Sequence, residues 1–246
     1  MNAKPEGSFD KLLKFLKELD FLKSYIPQIN SAGYPFIILF FCVSLFISVF
    51  SDFLGWIGFI LTVWCAYFFR DPERVTPDKK NVIISPADGK VLSIDEVESP
   101  ENLVDKKKIV MRKVSIFMDV FNVHVNRIPI SGKISWLKYV PGIFLNASLD
   151  KSHEDNERMI TKIEVNKNLN IYVVQIAGLI ARRIKCDLVE NQSVEVGERF
   201  GLIRFGSRVD VYFPISYEIK ILKGQTVLSG ETILGEPAQE NTGKKN

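Results

Sequence analysis

Apolar residues are concentrated in two adjacent runs near the N-terminus. Residues 35–50 and 53–69 form uncharged runs of 16 and 17 residues, and only Ser51 and Asp52 separate them. Because a membrane-spanning helix needs about 20 apolar residues, each run is short for a complete span. The pattern predicts two helices joined by a turn at Ser51 and Asp52, which cross a thin region of the bilayer or enter it and return. A buried helical hairpin in a soluble protein is the alternative.

An amphipathic pattern precedes the two runs. Within residues 9–25, Phe9, Leu12 and Leu16 share one helical face, and lysines lie mostly elsewhere. This pattern is typical of a helix in the headgroup layer of a membrane, although a helix packed on the protein's own core fits equally well. A cleaved signal peptide is not expected, because the apolar stretch starts too late and is doubled. Lysines and arginines lie before and after the hairpin but not in its join, which predicts that both ends and the C-terminal domain lie on the cytoplasmic side of the cell membrane.

Beyond residue 70, apolar and polar residues alternate with the period of β-strands. The strand-like runs are residues 82–85, 90–94, 109–118, 121–127, 133–140, 159–165, 169–177, 209–213 and 217–222. Residues 141–158 are predicted to be an exposed loop, with or without a helical turn. The sequence therefore predicts a mainly β fold, sandwich-like or barrel-like, after an N-terminal helical membrane hairpin. Its three parts are an interfacial helix in 1–31, the hydrophobic hairpin in 32–70 and the β-rich domain in 71–246.

Two alternating runs flank a Phe-Gly-Ser step at residues 205–207. Strands on both sides would hold this step in a sheet rather than in a loose linker. The carbonyl of Gly206 is open to approach because glycine has no Cβ, and the hydroxyl of Ser207 lies next to it. A bulge or tight turn with a small polar residue is the ordinary interpretation.

Composition limits the chemistry further. A net charge of +3 does not favour a dedicated nucleic-acid binder, and the three cysteines show neither metal-binding spacing nor a disulfide framework. His124 is one of only two histidines, and on a strand it would share a face with Asn122 and Asn126. Asp88 lies in a Pro-containing turn before a glycine, where aspartate is common. Together, Asp88, His124 and Ser207 would supply an orienting carboxylate, a base and a hydroxyl nucleophile.

Five sequence blocks in this order resemble phosphatidylserine decarboxylase, in its short, membrane-anchored, pyruvoyl-dependent form. The blocks are residues 68–72 (FFRDP), 85–91 (SPADGKV), 119–129 (DVFNVHVNRIP), 146–151 (NASLDK) and 205–207 (FGS). The resemblance covers roughly residues 65–235.

The resemblance implies a self-processing enzyme without an external cofactor or metal. The Ser207 hydroxyl attacks the Gly206 carbonyl, and elimination cuts the chain between the two residues into a β chain and an α chain. Residue 207 becomes a pyruvoyl group, which forms a Schiff base with the serine amine of the membrane phospholipid. Loss of CO2 then yields phosphatidylethanolamine. His124 and Asp88 occupy the positions of the family's catalytic pair, in which His124 takes the hydroxyl proton and Asp88 holds its ring.

Several alternatives stay open. Longer family members carry a second histidine three residues after the first, where this chain has Arg127, so the division of roles is open. A related serine-headgroup lipid as substrate, a non-catalytic biotinyl-like or lipoyl-like binding module, a serine hydrolase and a homo-oligomeric assembly are not excluded. Basic candidates for binding the substrate's phosphate and carboxylate are Arg112, Lys113, Arg182, Arg183 and Arg204.

Overall fold

The computed structural model describes residues 28–100, 109–145, 155–178, 183–204 and 207–238. The chain divides into two compact units, residues 1–73 and 74–246. The helix predicted in 9–25, the block at 146–151, Arg182 and Gly206 lie outside the described residues.

The first unit contains the two predicted helices, α1 (Tyr34–Ser48) and α2 (Asp52–Phe68). Ser51 caps α2, because its side chain accepts a hydrogen bond from the Leu54 N–H at 3.5 Å. Small residues let the helices approach closely. Ser44 Oγ donates to the Gly55 carbonyl at 2.9 Å, and a Cβ on Gly58 would lie 2.9 Å from Ser44 Oγ. The predicted hairpin of apolar helices is therefore confirmed.

Large apolar side chains cover the outer faces of this hairpin. Ile38 and Phe46 of α1 are 61% and 67% exposed, and Trp56 of α2 is 67% exposed. The helical stretch Ser31–Ser48, which includes α1, has 18 residues and is a candidate membrane span by length and composition, whereas α2 has 17 residues. At 1.5 Å per residue, α1 and α2 are about 22 and 25 Å long, less than the thickness of a typical hydrocarbon core.

Strands make up the remaining regular secondary structure of the described chain, apart from a short 3-10 helix at Ser31–Gly33. The strands are β1 (Gln28–Ile29), β2 (Arg70–Asp71), β3 (Ile83–Ile84), β4 (Gly89–Glu98), β5 (Val110–Met118), β6 (Val125–Arg127), β7 (Gly132–Val140), β8 (Arg158–Asn166), β9 (Leu169–Ala177), β10 (Ile184–Cys186), β11 (Ser193–Val194), β12 (Arg199–Ile203), β13 (Ser207–Pro214), β14 (Tyr217–Ile219), β15 (Thr226–Val227) and β16 (Ile233–Pro237).

An antiparallel sheet of eight strands dominates the second unit, in the order β11-β7-β8-β9-β13-β5-β4-β15. Two three-stranded sheets accompany it, β10-β12-β6 and β14-β16-β3, and β1 pairs with β2 in the first unit. The large sheet curls into a half-barrel. The predicted mainly β fold with N-terminal apolar helices is confirmed.

Strand β13 is central to the large sheet and is buried on both faces. Val209, Val211 and Phe213 point into the main hydrophobic core. Tyr212, on the other face, packs in a second apolar cluster with Ile176. A strand between two neighbours and two apolar clusters is held along its whole length, which fixes the position of its first residue, Ser207.

Two local predictions were wrong. The strand predicted over 121–127 is confined to β6, because Asp119 and Asn122 form a turn in which the Asp119 N–H donates to Asn122 Oδ1 at 2.9 Å. The loop predicted over 141–158 is not exposed throughout, because Asn156 is fully buried and pairs with Ile143 in an isolated parallel bridge.

Candidate active site

Ser207 is the first residue of β13 and lies between two neighbouring strands. It pairs with Met118 at the end of β5 and with Ala177 at the end of β9. Its side chain is fully buried, and its Oγ has no hydrogen-bond partner among the residues that the structure describes. A buried hydroxyl without a partner costs about 1–3 kcal/mol of stability, and such groups are rare unless they have a functional role. The strands predicted on both sides of the Phe-Gly-Ser step are confirmed by β12 and β13.

Asp88 lies in a turn immediately before β4 and is 5% exposed. Its Oδ2 accepts a hydrogen bond from the Arg74 guanidinium at 2.7 Å, and its Oδ1 accepts one from the Ser229 N–H at 2.7 Å. Gly89 follows with φ +155°, and a Cβ there would overlap the Phe117 carbonyl oxygen, so glycine is required at this position. The two hydrogen bonds therefore hold the carboxylate in one orientation.

His124 precedes β6 and is 2% exposed. Its Nδ1 lies 3.0 Å from the carbonyl oxygen of Asn122. A carbonyl oxygen can only accept, so Nδ1 carries the proton of the neutral ring and Nε2 has the basic lone pair. The expectation that His124 and Asn122 share a strand face was wrong, because Asn122 lies in the turn and contacts the ring through its backbone.

Backbone pairing brings these segments to one end of the large sheet. The Arg127 N–H donates to the Pro86 carbonyl at 2.9 Å and the Ile84 N–H donates to the Pro129 carbonyl at 3.0 Å, so the two segments run antiparallel. Because the segments are antiparallel, Asp88 lies near the start of β6, which is the end next to His124. Lys90 of β4 pairs with Phe117 of β5, which sets the start of β4 level with the Met118–Ser207 pair.

A set of buried amides supports the strands that flank Ser207. Asn156 Nδ2 donates to the carbonyls of Ala177 at 2.7 Å and Leu145 at 2.8 Å, and its Oδ1 accepts from the Leu145 N–H at 2.9 Å. Gln175 Nε2 donates to Asn126 Oδ1 at 2.9 Å. Sequence reasoning missed Asn156, because an asparagine in a polar segment gives no sign that it is buried.

A buried ion pair follows Ser207 on the opposite face of β13. Arg208 and Asp210 are 2% and 0% exposed, and Arg208 Nε donates to Asp210 Oδ1 at 2.6 Å. The guanidinium also donates to Ser115 Oγ of β5 at 2.7 Å. Burial, and then the nearby Asp210 charge, raise the pKa of Tyr212. The pair connects β13 to β5 directly beside the predicted cleavage bond.

Comparisons with known proteins decide the family. The sequence model of the family described as Phosphatidylserine decarboxylase matches residues 61–235. The chain is 51% identical over 216 residues to a phosphatidylserine decarboxylase proenzyme of Pelagibacter ubique (strain HTCC1062), an alignment that covers 87% of this chain and 99% of that protein. It is 50% identical over 214 residues to the proenzyme of Rickettsia typhi (strain ATCC VR-144 / Wilmington), covering 87% of this chain and 92% of that protein. The chain belongs to the phosphatidylserine decarboxylase family.

Membership of the phosphatidylserine decarboxylase family confirms the resemblance that the five sequence blocks indicated, and it makes the protein an enzyme of the decarboxylase class. The matched segment contains Asp88, His124 and Ser207. Among the described residues, no group of three or more histidine, cysteine, aspartate or glutamate side chains could hold a metal ion.

The basic residues suggested for substrate binding separate into two groups. Arg112 donates to Glu96 at 2.8 Å, and Lys113 lies 3.6 Å from Asp95. These two residues pair with Phe213 and Tyr212 of β13. Tyr212 is five residues from Ser207, which corresponds to about 17 Å along a strand. Arg183 and Arg204 form the other group and lie near the start of β13.

Proposed function

We propose that the chain is the proenzyme of a pyruvoyl-dependent decarboxylase that converts phosphatidylserine to phosphatidylethanolamine and CO2. The observation that carries the proposal is the buried Ser207 Oγ, which has no hydrogen-bond partner among the described residues and stands at the start of a central strand. A hydroxyl in this position is suited to attack a neighbouring backbone carbonyl, because no competing hydrogen bond holds its lone pairs.

Self-cleavage begins with proton transfer from the Ser207 hydroxyl. Nδ1 of His124 is occupied by the Asn122 carbonyl, so Nε2 is the nitrogen that accepts the proton. Ser207 Oγ adds to the Gly206 carbonyl carbon, and the peptide C–N bond breaks to give an ester with a free amine on residue 207. Removal of the Ser207 α-proton then expels the Gly206 carboxylate. Hydrolysis of the resulting dehydroalanine releases ammonia and leaves the pyruvoyl group.

Asp88 supplies a fixed negative charge at this end of the sheet. A nearby carboxylate favours the protonated form of a histidine, so it stabilises His124 after the ring takes the proton. The hydrogen bonds from Arg74 and the Ser229 N–H keep the carboxylate in one orientation. The pyruvoyl group supplies a carbonyl electron sink for the electron pair left when CO2 departs.

The apolar hairpin supports a location in the cell membrane, with the β-rich domain of residues 71–246 on the cytoplasmic side. Side chains such as Ile38, Phe46 and Trp56 are more than half exposed. Exposed apolar surface of this extent is stabilised by contact with lipid. A membrane anchor also matches a substrate that lies in the bilayer, and residues 1–31 would add an interfacial helix.

The test is the Ser207→Ala variant, analysed on a denaturing gel with intact mass. The parent protein is expected to give two chains, residues 1–206 and 207–246, the second with a blocked, ketone-reactive N-terminus. Ser207→Ala is expected to remain one chain and to release no CO2 from phosphatidylserine. Ser193→Ala, an exposed serine on β11, is the matched control and should split like the parent.

Two results would overturn the proposal. One is cleavage of Ser207→Ala at the same bond. The other is fully active parent protein that remains a single chain with an ordinary serine at position 207. An uncut parent chain that binds lipid without releasing CO2 would instead favour the binding-module alternative.

A further inference from the structure

Two arginines face each other near the start of β13. Strands β10 and β12 pair with Ile184 opposite Ile203, so Arg183 and Arg204 are the next residues along the two strands. The Arg204 N–H lies 3.5 Å from the Arg183 carbonyl oxygen, which continues the pairing. Side chains directly opposite each other in such a pair have Cβ atoms about 5 Å apart, and like charges there are destabilising.

The two arginines act on each other as like charges. Arg204 is half-buried and Arg183 is exposed. Burial, and then the charge of Arg183, lower the pKa of Arg204. Tyr139 interacts with both Arg183 and Glu157, and the Glu157 carboxylate accepts a hydrogen bond from the Tyr139 hydroxyl. The charge of Arg183 therefore acts on Arg204 as a like charge, and the two guanidinium groups repel each other.

The pair also lies close to the reactive residue. Arg204 precedes Ser207 by three residues, so even a fully extended chain separates their Cα atoms by no more than about 11 Å. The Ala177 N–H donates to the Glu157 carbonyl at 2.9 Å, and Ala177 pairs with Ser207. In a phosphoserine headgroup, only a few covalent bonds separate the amine from the phosphate. An amine held at residue 207 would therefore place its phosphate within reach of these long side chains.

We propose that Arg183 and Arg204 bind the phosphodiester of the lipid headgroup and thereby position its amine at residue 207. The proposal rests on the proposed function and assigns a phosphate subsite within it. Arginine forms paired, charge-assisted hydrogen bonds with phosphate oxygens, and an anion between the two side chains offsets their mutual repulsion. The other described candidates, Arg112 and Lys113, are ion-paired and lie too far along β13.

The test compares Arg183→Gln and Arg204→Gln with Arg112→Gln, which removes the same charge outside the subsite. Self-cleavage is first checked on a denaturing gel, because failure of the parent to cleave refutes the proposed function rather than the subsite. In cleaved protein, the apparent KM for phosphatidylserine in mixed micelles is expected to rise about ten-fold or more in the two subsite variants, with kcat little changed. Arg112→Gln should keep the parent KM, and Arg204→Lys should recover part of the loss.

A binding measurement covers the case in which a subsite variant does not cleave. Each subsite substitution is combined with Ser207→Ala, which keeps the chain uncut. Soluble glycerophosphoserine should bind the Ser207→Ala protein more tightly than it binds either of the two double variants. Inorganic phosphate should compete only weakly, since it lacks the serine. An unchanged KM in both subsite variants, an equal rise in Arg112→Gln, or tighter binding of inorganic phosphate than of glycerophosphoserine would overturn the assignment.

Discussion

Replacing Asp210 by asparagine should destabilise the β-rich unit strongly. The change removes the carboxylate that the Arg208 guanidinium contacts at 2.6 and 3.0 Å. The guanidinium is 2% exposed and keeps its hydrogen bond to Ser115 Oγ of β5, which carries no charge. Removing one member of a buried ion pair costs about 3–5 kcal/mol. Total stabilities are about 5–15 kcal/mol, and 1 kcal/mol shifts the unfolding temperature of a domain of this size by about 2–4 °C. The expected decrease is therefore about 6–20 °C.

The measurement is thermal unfolding followed by circular dichroism in the Ser207→Ala background, in which each variant is compared as one intact chain. Glu218→Gln is the matched control, because it disrupts an exposed ion pair in which Glu218 lies 2.9 Å from Lys220. Exposed pairs contribute little, so its unfolding temperature should stay close to that of the parent.

A double variant, Arg208→Met with Asp210→Leu, tests whether the unpaired charge is the cause. Replacing both members of a buried pair by apolar residues is often neutral or stabilising, so the double variant should recover most of the lost stability. The reasoning is refuted if Asp210→Asn is as stable as Glu218→Gln, or if the double variant is as unstable as the single one. With Ser207 restored, Asp210→Asn should also slow self-cleavage, since the pair holds the strand that begins at residue 207.

Two further predictions concern buried polar groups. Asn156→Ala should lower the free energy of unfolding, measured by denaturant titration, by about 3 kcal/mol. The reason is that the Ala177 carbonyl and both backbone groups of Leu145 lose their hydrogen bonds to the Asn156 side chain. Asn168→Ala changes an exposed residue and is the control, so it should have little effect. Burial raises the pKa of Tyr212, so its neutral form contributes stability that is present below the unfolded pKa of about 10 and is lost as the pH rises toward the raised folded pKa. The Tyr212 phenol should therefore ionise only when the chain unfolds in alkali. In an absorbance titration, the Tyr212→Phe variant should show the same number of tyrosines ionising reversibly near pH 10 as the parent protein. One fewer ionising tyrosine in the variant would contradict this prediction.

Local sequence patterns determined most of the secondary structure and indicated the candidate reactive step. Two uncharged runs predicted α1 and α2, and alternation predicted most of the long strands, because the periods of helix and strand depend on which side chains share a face. The same alternation placed Ser207 between two strands. The resemblance in five short blocks predicted the family from sequence alone.

The tertiary structure decided which distant residues meet. No local pattern indicates that the Asn122 carbonyl contacts the ring of His124, that Arg74 contacts Asp88, or that Asn156 supports the strand beside Ser207. Alternation alone would place Arg208 and Asp210 on a solvent-facing side of β13, yet both are buried. Such contacts depend on strand order and sheet curvature, which join residues that are far apart in the chain. The sequence by itself could therefore indicate Ser207 as the candidate reactive serine, but not the groups that hold it in place.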